Sequence, residues 1–343
     1  MSRRGIGSGD GLRREQPRFA RVLLPALLLV ACGKTTRDSP GGAEGNAQAG
    51  AATEPTTKGT GSAGAGTAWR SAGCGKAVSK TITSPQVVQL TGATLDPDHP
   101  AMPHYRGYSV SFAQGYDNTE PHRLVFYALG CLSDNPPIPV QPDARTVNVE
   151  LEPPPGDINV GRCFDNTGLR STEFENLALV AKAVEDALCI DKNNEIIVGR
   201  RDGAAVASML ACYFGAPDPA RAFGPELKLR GQLSVATAAV VGFPACAGPV
   251  AGLWLYDPDI GESVDRAYAE RDRVLALDHC DQSSTEPFGS GVLARAGNSC
   301  LRYTGCPAAY PVVTCASPYV FSDGATFGLD APVTQFLGAI DSP

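Results

Sequence analysis

The chain has 343 residues, 43% of them hydrophobic and 19% charged, with 29 Lys+Arg against 36 Asp+Glu, and Gly and Pro together make up about a fifth of it. A wholly disordered chain is excluded because its apolar content would be lower, and a coiled coil because no heptads persist at so low a charge. Residues 1–70 carry 10 basic and 5 acidic side chains, which leaves 19 and 31 for residues 71–343, a net of −12 that repels phosphate backbones and excludes a nucleic-acid partner.

The first segment reads as an address. Arg3, Arg4, Arg13, Arg14, Arg18 and Arg21 precede an apolar run of ten residues, Val22 to Ala31, too short to span a bilayer but suited to a signal-peptide core. It ends in Leu29-Val30-Ala31-Cys32, which resembles the bacterial lipobox and implies cleavage after residue 31 and diacylglycerol on the Cys32 thiol. The alternative is an ordinary secretory signal that contains a cysteine. Gly33 after the lipidated residue, with no Asp there, resembles lipoproteins sent on to the outer membrane. The mature chain is then 312 residues long, an exported lipoprotein whose first partner is the membrane itself. Gly33 to Ala68 is Gly, Ala, Thr and Ser with almost no large apolar side chain, so it buries too little to offset its ordering entropy. As a flexible tether it reaches roughly 30–36 Å. Three regions follow: signal peptide 1–31, lipidated Cys32 with tether 32–70, and a folded domain 71–343.

From Ser71 onward strand-like and helix-like stretches alternate. Tyr108–Ala113 and Leu124–Leu129 predict strands, the second apolar throughout as where helices cover both faces of a sheet. A Pro-rich insertion around Pro136–Pro155 comes next. Thr172 and Glu175 form a capping box opening a helix with Phe174, Leu177, Ala181, Val184 and Leu188 on one stripe. Glu195–Val198 predicts a short buried strand, Gly199–Gly203 a glycine-bounded turn, and Ala204–Tyr213 an apolar helix. Further strands are expected at Leu233–Ala238, Val250–Leu255 and Val312–Cys315, and helices at Val264–Leu277 and Val333–Ile340. This alternation means a mostly parallel sheet in a three-layer sandwich.

Setting Cys32 aside, ten cysteines remain: Cys74, Cys131, Cys163, Cys189, Cys212, Cys246, Cys280, Cys300, Cys306 and Cys315. An even count scattered through an exported domain implies five disulfides. The short Cys306–Cys315 segment makes that bridge the easiest to accept, followed by Cys280–Cys300 and Cys212–Cys246. No CxxC pair occurs and His99, His104, His122 and His279 are dispersed, so no metal site and no cofactor are expected.

Several segments, in order, resemble the secreted polyhydroxybutyrate depolymerases and feruloyl esterases of the α/β-hydrolase fold. They are Arg123-Leu-Val-Phe with Gly130-Cys131, Cys163-Phe-Asp-Asn, Cys189-Ile-Asp-Lys, Ile196-Ile-Val-Gly199 with its turn to Gly203, Ala205–Cys212, Arg271-Asp-Arg-Val-Leu and Tyr303–Cys315. The resemblance implies an α/β-hydrolase-like domain from roughly Ser71 to Leu337. That fold carries its nucleophile at the centre of G-x-S-x-G. Here the centre of Gly199-Arg-Arg-Asp-Gly203 is Arg201, whose permanently charged guanidinium has no attacking lone pair. The family's base follows the strand ending near Cys315, yet no histidine occurs after His279, and the histidine usual before the Gly130-Cys131 position is Leu129. Only the acid position persists, as Asp259 or Asp257, and Leu129-Gly130 marks the former oxyanion region. Asp202 as nucleophile lies one residue past the elbow's centre, and a relocated set using Ser171, Ser208 or Ser234 lacks a nearby histidine. The resemblance therefore implies an esterase-like scaffold without its triad, binding a small acidic or ester ligand or an envelope polymer. A carboxylic ester or polyester hydrolase with an unorthodox site is the alternative. Arg201 at a helix N-terminus is expected to find an anion, with Asp259 the first candidate.

Overall fold

Segments rich in Val, Ile, Leu and aromatic residues dictate the centre of the molecule. The computed structural model describes residues 69–90, 105–128, 130, 145–153, 164, 171–236, 245–289, 298–317 and 330–341, all within one compact unit, Gly61–Pro343. The expected signal peptide, Cys32 and the tether as far as residue 68 lie outside the described residues, as do Leu129, Cys131 and Cys163.

Among the described residues ten strands form one sheet. In chain order they are β1 (Gln86–Gln89), β2 (Tyr105–Phe112), β3 (His122–Ala128), β4 (Thr146–Leu151), β5 (Ile190–Arg200), β6 (Leu229–Val235), β7 (Ala251–Tyr256), β8 (Thr285–Pro287), β9 (Ser299–Tyr303) and β10 (Val312–Ala316). Their spatial order is β1-β2-β4-β3-β5-β6-β7-β10-β9-β8. The six central strands β4, β3, β5, β6, β7 and β10 run parallel, and antiparallel strands close both edges. Alternate residues of β3 go to opposite cores: Leu124, Phe126 and Ala128 to one, Val125 and Tyr127 to the other. A parallel strand buried on both faces has that signature.

The first core lies under α1 (Ser171–Ala187) and α2 (Asp202–Tyr213), and the second under α4 (Asp330–Asp341). Helix α3 (Gly261–Leu277) covers Trp254 and Val312 at one end of the sheet. Trp254 alternates along β7 with Leu253 and Leu255 of the α4 core, so α3 lies on the same face as α2. This is the expected three-layer sandwich with a mostly parallel sheet. All five apolar residues of the α1 stripe are buried. Thr172 is the second residue of α1, so it sits inside the first turn instead of capping it.

Three sequence expectations change. The Pro-rich stretch contains β4, a central strand whose Val147, Val149 and Leu151 are buried. The six strand residues, Thr-Val-Asn-Val-Glu-Leu, include no proline, so no ladder donor is missing within them. Strand β5 begins at Ile190, well before Glu195: Ile190 pairs with His122 at the start of β3, the register then shifts, and the polar residues between are bridged by the segment ahead of β1, where Asp191 pairs with Arg70 and the Lys192 N–H donates to the Trp69 carbonyl at 2.9 Å.

The cysteine pairing also changes. Cys212–Cys246 forms as expected, but Cys306–Cys315 and Cys280–Cys300 do not: the bridges are Cys300–Cys315 and Cys280–Cys306, with Cys74–Cys189 as a further one. Register is the reason. Cys300 on β9 stands directly opposite Cys315 on antiparallel β10, with Cα atoms 4.0 Å apart. The turn beyond β9 carries Cys306 to the end of α3, where Cys280 waits with its Cα 4.3 Å away.

Candidate functional site

The sheet's parallel strands end together on one side, and the β5–α2 junction lies at the centre of that edge. Strand β5 ends at Arg200 and α2 begins at Asp202, so the chain reverses within one residue. That residue, Arg201, has φ 54° and ψ −120°. Residues with a Cβ rarely enter this region. The flanking glycines make the turn possible, since a Cβ on Gly199 would lie 2.1 Å from the Gly203 carbonyl oxygen and 2.5 Å from the Ala204 Cα. The backbone of Arg201 is fixed from both sides: its N–H donates to the Val235 carbonyl of β6 at 2.9 Å, and its carbonyl accepts from the N–H groups of Ala204 and Ala205 at 3.0 and 3.3 Å.

Gly130, just beyond β3, packs against this turn. A Cβ there would approach the Arg200 carbonyl oxygen at 3.1 Å and the Arg201 Cβ at 3.4 Å. A strained strand-to-helix elbow with the end of a neighbouring strand's loop beside its apex is the arrangement in which α/β-hydrolases hold a nucleophile and its oxyanion donors. The chain has the α/β-hydrolase fold.

No protein-family model matches the chain, and no curated protein matches its sequence. Among solved structures it is similar to the acetyl xylan esterase from Aspergillus awamori, with TM-score 0.44 and 11% identity over 74% of this chain and 99% of that one. It is also similar to a ferulic acid esterase from Anaeromyces mucronatus (TM-score 0.34, 11% identity, 56% of this chain and 79% of that one). A fungal esterase from Rhizomucor miehei is a third (TM-score 0.37, 9% identity, 56% and 70%).

On this α/β-hydrolase elbow Arg201 is half-buried, and among the described residues its guanidinium makes no hydrogen bond or ion pair. The expected Arg201–Asp259 pair is absent. Asp259 is exposed in the turn after β7, where its N–H donates to the Asp257 carboxylate at 2.9 Å, so that segment is closed on itself by a local Asx turn. Asp202 is the first residue of α2, where its charge suits the helix dipole, and it is not at the apex.

The relocated sets fare no better. His122 begins β3, and Ala128 at the end of that strand is in register with Gly199, so His122 lies roughly 20–25 Å from the elbow at the usual strand rise. His279 follows the far end of α3. His99 and His104 lie outside the described residues. Ser171 opens α1. Ser208 lies two turns down α2, ~10 Å from Arg201, and is buried against Ser234 at 2.9 Å.

That serine pair belongs to a polar cluster the sequence did not single out. Glu270 of α3 accepts from the Ser208 hydroxyl at 2.5 Å and from the Trp254 indole N–H at 3.2 Å, all in the interior. Burial outweighs both hydrogen bonds and pushes the Glu270 carboxyl up to about 8. Asp278, at the end of α3, is pushed up to about 7 for the same reason, although it accepts the Val250 N–H at 3.3 Å. The signal for Glu270 was its spacing. It lies three residues after Ala267 and four before Val274, on the apolar stripe of a helix that otherwise reads as charged and solvated.

Proposed function

We propose that this chain is a non-hydrolytic binding module built on an esterase-like scaffold and held to a membrane by lipidated Cys32. The observation that carries the reading is the elbow: its costly backbone is occupied by a long cation where a nucleophile would stand. Glycine would occupy φ 54° without steric cost, so a decayed turn would gain by losing its side chain. A guanidinium that meets no protein anion among the described residues, beside the first N–H groups of α2, suits a carboxylate, to which arginine donates two parallel hydrogen bonds. The ligand class is a small hydroxy acid or the acidic end of a polyester. The lipobox, Leu29-Val30-Ala31-Cys32, supports lipid as the attachment. The four bridges among the described residues support an exported domain.

Calorimetric titration with 3-hydroxybutyrate tests the reading. Saturable binding that falls at least tenfold in Arg201→Gln is the expected result. Equal binding by both proteins, or none at millimolar ligand, would remove the anion-binding role.

A further inference from the structure

We propose that Glu270 is the latch of a pH-sensitive clasp that holds α3 on the sheet while its carboxyl carries a proton and releases the helix when that proton passes to solvent, with Cys280–Cys306 keeping the far end attached. This is independent of what the elbow binds. Five residues of α3 are buried, and only Ala267, Val274 and Leu275 are apolar, so the helix has little hydrophobic hold on its neighbours. Glu270 sits in the middle of that stripe and reaches three elements at once: Ser208 on α2, through it Ser234 on β6, and Trp254 on β7. The indole of Trp254 lies over Gly252, where a Cβ would come within 2.2 Å of the ring, so its N–H is fixed in direction.

The charged groups facing Glu270 are few. Neither α2, β6 nor β7 offers an ionised side chain there: Ser208, Gln232 and Ser234 are neutral, and Trp254 only donates. On α3 itself Arg273 borders the same small space, and its attraction is the weakest of the influences on Glu270. Asp278, eight residues on, is the other carboxyl buried along α3 and lies at the tethered end. The space beside Glu270 measures about 10 Å³. It admits about one water, too few to hydrate a carboxylate. An ionised Glu270 can therefore recover solvation only by leaving the interface, and leaving carries α3 off Trp254. Because α3 starts at Gly261, directly after the Asp257–Ile260 turn, release also loosens the rim that follows β7.

The chain has two tryptophans, Trp69 exposed and Trp254 buried, so the full-length protein with Trp69→Phe reports on the clasp alone. Between pH 6.5 and 9 its emission should shift to the red. Over the same range, hydrogen exchange in α3, corrected for intrinsic rate, should rise at least tenfold more than in α1. Glu270→Gln, a neutral isostere that still accepts from Trp254, should abolish both changes. Ser208→Ala removes a donor that favours the anion, so it should move the midpoint to higher pH. An unshifted emission, exchange that rises equally in α1 and α3, a full transition in Glu270→Gln, or an unmoved or lowered midpoint in Ser208→Ala would each overturn the proposal. The serine variant decides the matter if the glutamine variant fails to fold.

Discussion

At Arg201 the backbone stands where any residue with a Cβ pays a cost of order 1–3 kcal/mol. In hydrolases of this fold the same conformation holds a nucleophile's side chain clear of the strand end. Replacing Arg201 by glycine relieves the strain but adds unfolded-state entropy of roughly 0.5–1 kcal/mol. Arg201→Gly should therefore raise stability by about 1 kcal/mol, read as a higher denaturant midpoint at unchanged slope; a loss would mean that the guanidinium stabilises the fold. Arg201→Ser should not create an esterase, because no base follows: among the described residues the histidines stand at the opposite end of the sheet. The elbow was legible from two glycines four residues apart around a charged centre. That Arg201 and Asp259 stay apart was not, because nothing in the sequence shows that Asp259 sits exposed in a turn where its N–H donates to the Asp257 carboxylate.

Among elements, α3 depends most on pH. Glu270 and Asp278 bind protons more tightly in the folded chain than in the unfolded one, so the folded state holds extra protons between the ordinary carboxylate range and about 8 and about 7 respectively. Their contribution is complete at pH below that ordinary range, is lost as pH rises through it toward 7 and 8, and is flat above. The melting temperature should fall from pH 5 to pH 8.5, and Glu270→Gln should flatten the fall above pH 7; thermal scans across that range would show a rising or level curve if the carboxyls were solvated. The central strands were legible because strands buried on both faces read as apolar runs. Strand β4 was hidden among prolines that border it, and β9, Ser-Cys-Leu-Arg-Tyr, has no alternation to betray it. The cysteine partners of β9 and β10 depend on cross-strand register, which proximity along the chain does not contain. Peptide mapping without reduction should recover Cys280 joined to Cys306 and Cys300 joined to Cys315, and a Cys306–Cys315 peptide would contradict the register.

On the scale of the whole molecule, the acidic residues 71–343 follow a stretch that is basic at its start and poor in apolar residues at its end. If lipid on Cys32 is the attachment, Cys32→Ser should remain an unprocessed precursor and leave the detergent phase on phase separation, whereas a processed variant that still partitions into detergent would refute the lipobox. Hydrolysis of p-nitrophenyl butyrate by the purified protein tests whether the esterase-like scaffold lacks its triad. Removing a nucleophile and its base leaves at most the weak assistance of binding and backbone donors. A rate indistinguishable from buffer and no labelling by a fluorophosphonate probe are expected. A burst of p-nitrophenol proportional to protein, abolished by that probe, would contradict the loss of the triad.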